Sequence, residues 1–310
     1  MHKTYQGMTD IIIVNWNSAD YLQKCVQSFF TKLNEPIINK VFIIDNNSSD
    51  NSLEKVPQND KIVIIRNREN KGFAKGCNQG FRLCSSEYIL LLNPDAQLHS
   101  TTLNDCISFM DGNNDVDVVG CQLLNDAGKI TVTCSRFPKP FRYFFDVTGL
   151  SKLAPKIFTP ALLMTDWDHR ENRRVDQVMG AFMFMRRNIF ERIGYFDERF
   201  FMYYEELDFS RRLADAGGVS FYNCRITAIH SGEGTTSNIK AFRLFLNIQS
   251  RMKYAKKHFG PWGYFIVWLC TFCIEPFTRN IFLLGSGDFK GMAEVCKGYS
   301  LLLRNRSENK

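Results

Sequence analysis

The chain is short of several features that would place it in a familiar class. It has no uninterrupted apolar segment of the roughly 20 residues that a bilayer-spanning helix needs. The best candidate, Phe259 to Ile274, is uncharged but shorter, and Glu275-Pro276 follows it as an interruption. No secretion leader is expected, because Met1 to Asp10 is polar and lacks a charged start, a long apolar core and a small-residue cleavage site. The ten cysteines show no regular spacing, which fits buried thiols in a reducing cytoplasm better than a disulfide framework. The one CxxC, Cys270-Thr-Phe-Cys273, has no second pair and no nearby histidine, so it reads as buried sulfur rather than a zinc or redox centre. There is no GxGxxG: the glycines of residues 70–80 recur every fourth position, and no strand directly precedes them. That argues against a dinucleotide-dependent oxidoreductase. Glycine (20) and proline (9) carry no bias and no repeat is present, which excludes collagen-like, disordered and coiled-coil chains.

What remains is ordinary globular material, 45% apolar and 23% charged, long enough for one large domain or two small ones. Lys and Arg exceed Asp and Glu by 39 to 32, a net charge of +7. A surplus of this size suits an anionic substrate or a membrane surface and does not call for nucleic acid.

The first 125 residues alternate short apolar runs with helical periodicity. Ile11–Val14, Val41–Ile44, Ile62–Ile65, Tyr88–Leu92 and Val116–Cys121 read as continuous strands of the kind buried on both faces. Between the first two, Tyr21, Leu22, Cys25, Val26, Phe29 and Phe30 recur at helical spacing behind Ser18, a candidate cap. Further helices are expected near 74–84, 101–110, 205–216 and 240–259. This alternation predicts an α/β fold: a mostly parallel, Rossmann-like sheet with helices on both faces. The segment 124–176, punctuated by Pro138, Pro140, Pro155 and Pro160, reads as an extended excursion or mobile loop.

Open parallel sheets bind ligands beyond the carboxyl ends of their strands. Asn15-Trp16-Asn17, Asp45-Asn46-Asn47-Ser48-Ser49-Asp50 and Asn93-Pro94-Asp95 follow three such ends. Asx residues also serve as turns and caps, so it is their coincidence on one edge that points to a site. Lys71 and Gly72 open the next helix, where lysines and a helix N-terminus attract phosphate oxygens. Gly76 and Gly80, in the same segment, would also let that helix approach another backbone closely.

Taken in order, these motifs resemble family-2 glycosyltransferases of the GT-A fold, in the subgroup that includes bacterial rhamnosyltransferases. The resemblance rests on Asn15-Trp-Asn17, Asp45 to Asp50, Asn70-Lys-Gly72 through Asn78-Gln-Gly80, and Asn93-Pro-Asp95. Gly180-Ala-Phe, Phe201-Met-Tyr-Tyr-Glu205-Glu206-Leu-Asp208 and Ile229-His230 complete it. It spans about residues 10–260 and implies a nucleotide-sugar donor held by Asn15, Asn17, Asp45, Asn47, Lys71, Gly72, Asn78 and Asn93. Asp45 would meet the edge of the base, which uracil and thymine share, so either a UDP- or a dTDP-sugar fits. Asp95, in the position of the family's DxD-type motif, would bind a divalent cation, Mg²⁺ or Mn²⁺, with His230 completing the sphere. Glu206 would be the base that takes the acceptor's proton, with Glu205 or Asp208 sharing the role; an Asp208 pair with Arg211 or Arg212 is the structural alternative. A single carboxylate base and one displacement imply inversion at the anomeric carbon.

The resemblance therefore implies a transferase domain over residues 1–260, acting on a glycan or lipid-linked saccharide in surface polysaccharide assembly. An aromatic helical extension over 261–310 would follow. Residues 259–284 are a candidate peripheral membrane contact at the inner face of the cell membrane, or else a face packed on this domain or on a partner subunit. A non-catalytic sugar- or membrane-binding module with a vestigial site is the competing reading.

Overall fold

The structure is a computed structural model describing residues 7–232 and 240–308; residues 1–6, the start of the polar lead-in, lie outside it. The first apolar run forms strand β1 (Thr9–Asn15), buried along its whole length. Helix α1 (Tyr21–Phe29) buries Leu22, Cys25, Val26 and Phe29, the stripe that its spacing predicts. Ser18 does not cap it. Its hydroxyl donates to Asn15 Oδ1 instead, and Asp20 occupies the cap without a side-chain bond.

Strands β2 (Ile38–Asp45), β3 (Ile62–Arg66) and β4 (Tyr88–Leu92) follow, with helix α2 (Phe73–Phe81) before β4. After β4 come β5 (Ala96–Leu98), α3 (Thr102–Gly112), β6 (Val118–Leu124) and the short β7 (Cys134–Ser135). Two short helices, α4 (Arg142–Val147) and α5 (Leu150–Leu153), lead to β8 (Arg173–Val175), β9 (Gln177–Val178) and β10 (Phe182–Arg186). Helices α6 (Ile189–Ile193) and α7 (Glu205–Asp215) precede the long strand β11 (Ser220–His230). Four more helices finish the chain: α8 (Lys240–His258), α9 (Pro261–Leu269), α10 (Glu275–Gly285) and α11 (Phe289–Glu308).

The main sheet runs β3-β2-β1-β4-β10-β6-β11-β5, with β8 also paired to β11. Its first four strands are parallel, as expected for the Rossmann-like half. Strand β10 is antiparallel to both β4 and β6, and β5 and β8 are antiparallel to β11. Strand β3 departs from expectation. It ends the sheet with Val63 and Ile64 more than a third exposed, because among the described residues no further strand covers that edge. Along α2, Gly76 and Gly80 are packing devices: a Cβ there would sit 2.9 Å from Val14 Cγ1 and 2.7 Å from Ile12 Cγ2.

The chain forms two compact units. The first comprises Met1–Ser135, Asp168–Glu198 and Glu205–Thr235; the second, Arg136–Trp167, Arg199–Tyr204 and Thr236–Lys310. Within the second, Tyr143, Val147 and Ala161 pack with Ala255, Val267 and Cys270, and Arg136 pairs with Asp166 at 2.8 Å. Residues 136–167 are thus ordered, not a mobile excursion, because their aromatic and aliphatic side chains find a core on the C-terminal helices.

The expected interruption at Glu275-Pro276 is absent. A π-helical turn (Cys270–Ile274) joins α9 to α10, so the helix continues from Pro261 to Gly285. The proline falls in the first turn of α10, where its missing N–H removes no bond that the straight ladder needs. Glu275 is buried in an ion pair with Arg251 at 2.5 Å and with Arg279 at 2.6 Å. By length and composition this one helix could cross a membrane. All ten cysteines are free; Cys270 is buried and Cys273 is exposed.

Candidate active site

Parallel direction puts the carboxyl ends of β1, β2, β4, β6 and β11 at one edge of the sheet, and β10, running the other way, begins there. Asn15, Asp45, Asn93-Asp95, Gly180 and His230 therefore share that edge, all within the first unit.

The β1 and β2 ends form one hydrogen-bonded knot. Asn15 Nδ2 donates to Asp45 Oδ1 (2.8 Å) and to the Ser48 and Ser52 hydroxyls. The Ser48 hydroxyl and N–H donate to Oδ1 (2.6 Å) and Oδ2 (3.1 Å) of Asp45. Asn17, at φ +50°, accepts the N–H of Ser49. Asp45 is 4% exposed with three donors in place, and since a carboxylate can accept about four, one lone-pair direction is left on Oδ2. Asn47 sits exposed at the tip of the loop in a left-handed conformation, φ +60°.

Gly72 starts α2 at φ +84°, a backbone state that glycine alone adopts without strain. Its carbonyl accepts from Asn46 Nδ2, which joins the β2 loop to the helix start, and its N–H donates to Asn70. Lys71 is half-buried beside it. Asn78 faces elsewhere: its amide donates to Phe196 O and Glu198 Oε1 and its oxygen accepts Phe196 N–H, an arrangement that ties α2 to residues 196–198.

Asp95 and His230 come together. Asp95 Oδ1 lies 3.2 Å from His230 Nε2, and Ser231 N–H donates to Asp95 O at 3.1 Å. Two cis ligands about 2.1 Å from an octahedral cation stand about 3 Å apart, so this pair fits a divalent ion as two corners of its sphere. Among the described residues there is no cluster of three or more His, Cys, Asp or Glu suited to a metal. The remaining corners would fall to water and donor phosphates, in keeping with the neutral Asn93 that precedes.

The acidic triplet on α7 sorts by exposure. Asp208 is fully buried and pairs with Arg212 at 2.9 Å, and Arg212 also donates to the carbonyls of Ile193 and Tyr195. It thus takes the structural pairing that helical spacing allows. Glu205 is 2% exposed. Glu206 is half-buried as a residue, with its Oε2 enclosed and without a hydrogen-bond partner, and it lies against Gly180, where a Cβ would stand 3.3 Å from its Oε1. Burial raises the Glu206 carboxyl above the usual glutamate range, against the opposing pull of hydrogen bonds from its own N–H, the Glu205 side chain and the Gly180 N–H.

Sequence reasoning missed what holds this triplet's approach. Tyr203 and Tyr204, immediately before Glu205, lie at φ +68° and +69°, conformations that bulky residues avoid. Within the second unit Ser250 Oγ donates to Met202 O, Lys253 Nζ to Arg199 O and Arg243 Nε to the Tyr203 hydroxyl. No sequence pattern marks those contacts.

The chain matches the profile of glycosyl transferase family 2 over residues 10–194, more than half its length. It belongs to that family, and its sheet is of the GT-A type. Its relatives include the low-salt glycan biosynthesis hexosyltransferase Agl10 of Haloferax volcanii, 27% identical over 80% of this chain and 76% of that protein. The N-acetylglucosaminyl-diphospho-decaprenol L-rhamnosyltransferase of Mycobacterium tuberculosis is 21% identical over 82% and 87%, and the rhamnosyltransferase WbbL of Escherichia coli 25% over 81% and 94%. Among solved structures, the mannosyltransferase PcManGT of Pyrobaculum calidifontis, in complex with GDP-Man and Mn²⁺, superposes with a TM-score of 0.52 at 14% identity over 97% of this chain and 81% of that one. The chain is a glycosyltransferase of glycan biosynthesis, similar to the rhamnosyltransferases.

Proposed function

We propose that this protein transfers a hexosyl or deoxyhexosyl group, with inversion, from a UDP- or dTDP-sugar to a hydroxyl of a glycan or lipid-linked saccharide. The setting is surface polysaccharide synthesis at the inner face of the cell membrane. The observation that carries the reading is the meeting of two devices on one sheet edge: the Asp95–His230 pair and the half-buried Glu206, with its unpartnered Oε2, held at Gly180.

Asp45 offers its remaining lone pair to the imide N–H of the base, while the Asn15–Ser48 knot fixes the carboxylate so that it need not reorganise on binding. Lys71 and the α2 N-terminus face the diphosphate with positive charge. Asp95 and His230 are the residues that would hold a divalent cation. Such an ion supplies Lewis-acid neutralisation of the leaving nucleoside diphosphate. Glu206 accepts the proton of the acceptor hydroxyl, and its raised pKa makes it a better base than an ordinary carboxylate.

The test is a panel of UDP- and dTDP-sugars with lipid-linked and free saccharide acceptors, with and without EDTA. Transfer from one nucleotide class, abolished by EDTA and restored by Mg²⁺ or Mn²⁺, is the expected result. Absence of both transfer and donor hydrolysis across the panel, with metal supplied, overturns the proposal.

A further inference from the structure

The second unit concentrates features that the donor site does not use. By sequence it carries eighteen Lys and Arg against six Asp and Glu, a net +12. The first unit carries twenty-one against twenty-six, a net −5. Among the described residues, fifteen of the nineteen exposed large apolar side chains also belong to the second unit. Apart from Phe242, they come from two stretches far apart in the chain. Phe141, Phe144, Leu153, Ile157 and Leu163 belong to the first, and Trp262 through Phe289 to the second.

We propose that these two stretches form one face that docks on the anionic leaflet of a lipid bilayer, with the helix Pro261–Gly285 lying in the membrane plane. Three observations carry it. The stretches are continuous with each other: Lys152 Nζ stands 5.6 Å from the centre of the Phe282 ring, and Tyr143 and Val147 share a core with Val267 and Cys270.

The long helix is two-sided. Trp262, Phe265, Leu269, Phe277 and Ile281 recur at spacings of three, four and eight on the exposed side, while Val267, Cys270, Thr271 and Glu275 are buried on the other. A crossing helix is apolar all round; one side apolar and the other packed on protein is the mark of a helix at the interface. Crossing would also carry Glu275, 2% exposed and paired with Arg251 and Arg279, into hydrocarbon.

The basic groups sit among the apolar ones. Lys152 and Lys156 alternate with Leu153 and Ile157, each of which is at least 75% exposed, and Arg279 stands between Phe277 and Ile281. Long basic side chains beside inserted apolar ones match a negatively charged headgroup layer over acyl chains. A second copy of this chain, itself +12 on this unit, would meet like charge.

The test uses the full-length protein and sedimentation with vesicles of neutral phosphatidylcholine, with or without about 30% phosphatidylglycerol. Binding to the anionic vesicles is expected at least about tenfold above the neutral ones, and it should weaken as salt rises from about 0.1 to about 0.5 M. Alkaline carbonate should release the protein. The paired substitutions Ile281→Ser with Phe282→Ser and Leu153→Ser with Ile157→Ser should each lower partitioning at least about tenfold. Because all four side chains are exposed, folding by circular dichroism and transfer to a water-soluble acceptor should be unchanged. That transfer assay separates failure of this face from failure of the proposed reaction. No binding to anionic vesicles overturns the proposal. So does carbonate-resistant binding, which means a crossing helix, or a dimer in solution that the same substitutions dissociate.

Discussion

Replacing Glu206 by Gln separates catalysis from binding, and the structure gives the two effects opposite signs. Gln keeps the carbonyl oxygen that faces Gly180 and adds no volume, so the site's shape survives. What it loses is the ability to take a proton. Removal of a general base typically costs 10² to 10⁴ in rate, which is about 3 to 5 kcal/mol of transition-state stabilisation. Initial-rate kinetics should show that loss in kcat, with KM for the donor nearly unchanged. Stability should move the other way. The folded-state pKa of Glu206 is raised above its unfolded value, so its contribution is fully present below the unfolded pKa near 4.3 and is lost as pH rises through the folded value. At neutral pH the parent carries that penalty and the Gln variant does not, so its Tm at pH 7 should be the higher of the two.

The acid limb of the parent's kcat/KM profile should lie above the ordinary glutamate range, because activity falls as pH drops through the raised pKa. Glu205→Ala removes a hydrogen bond that pulls the Glu206 carboxyl down and leaves the burial that raises it, so the acid limb should move to higher pH. Glu206→Gln activity within a few-fold of the parent, or an acid limb at or below the ordinary value in the parent, refutes the assignment of the base.

Substituting Asp95 or His230 by Ala should weaken Mn²⁺ binding, measured calorimetrically with nucleoside diphosphate present, by more than about tenfold, because each would supply a ligand; unchanged affinity for both rules out the pair as ligands. Gly80→Ala should destabilise by about 1 to 3 kcal/mol, since its Cβ would meet three atoms of the fully buried Ile12 side chain at 2.7 to 3.1 Å. Thermal denaturation should then show a Tm lower by roughly 2 to 8 °C, and a rise would mean that helix propensity outweighs the clash. Arg251→Leu should cost about 3 kcal/mol in urea unfolding, because Glu275 keeps only the more exposed Arg279 as a partner. Adding Glu275→Gln should recover much of that loss; no recovery means that packing, not charge, explains it.

The parallel half of the sheet was legible because its strands are buried on both faces and read as unbroken aliphatic runs, Ile11–Val14 and Tyr88–Leu92 above all. Strand β3 carries the same kind of run, Ile62–Ile65, yet lies at the edge. Composition records that a strand is apolar but not how many neighbours cover it. The interruption expected at Glu275-Pro276 shows a different limit: a charge ends an apolar segment only if it is unpaired, and its partner Arg251 stands 24 residues earlier on another helix. For the site, Asp95 and His230 lie 135 positions apart and meet through the β5–β11 pairing, in which Ala96 faces His230. Nothing local to either residue announces that, and only the resemblance joined them. The preference for Glu206 over Glu205 and Asp208 likewise rested on the resemblance, since helical spacing gives all three the same acidic first turn. What the structure adds is that Arg212 pairs with the buried Asp208 and that Glu206 lies against Gly180.

The modest net charge shows why averages over a chain can hide a division of labour. A surplus of +7 looks like a weak general attraction for anions, but it is the sum of an acidic unit and a strongly basic one. The acidic unit holds Asp45, Asp95 and Glu206, the carboxylates to which the proposed reaction assigns its roles. Its excess of negative charge would repel a diphosphate, so under the proposed function Lys71, the α2 N-terminus and a cation held by Asp95 and His230 would have to reverse the sign of the field at the donor. Neutralising Lys71 as Lys71→Met should therefore raise the donor KM more steeply at low salt than at high salt, because screening weakens the opposing field of the unit as well as the attraction of the lysine. A salt-independent change in KM would mean that Lys71 acts only through contact, and the electrostatic account of donor capture would fail.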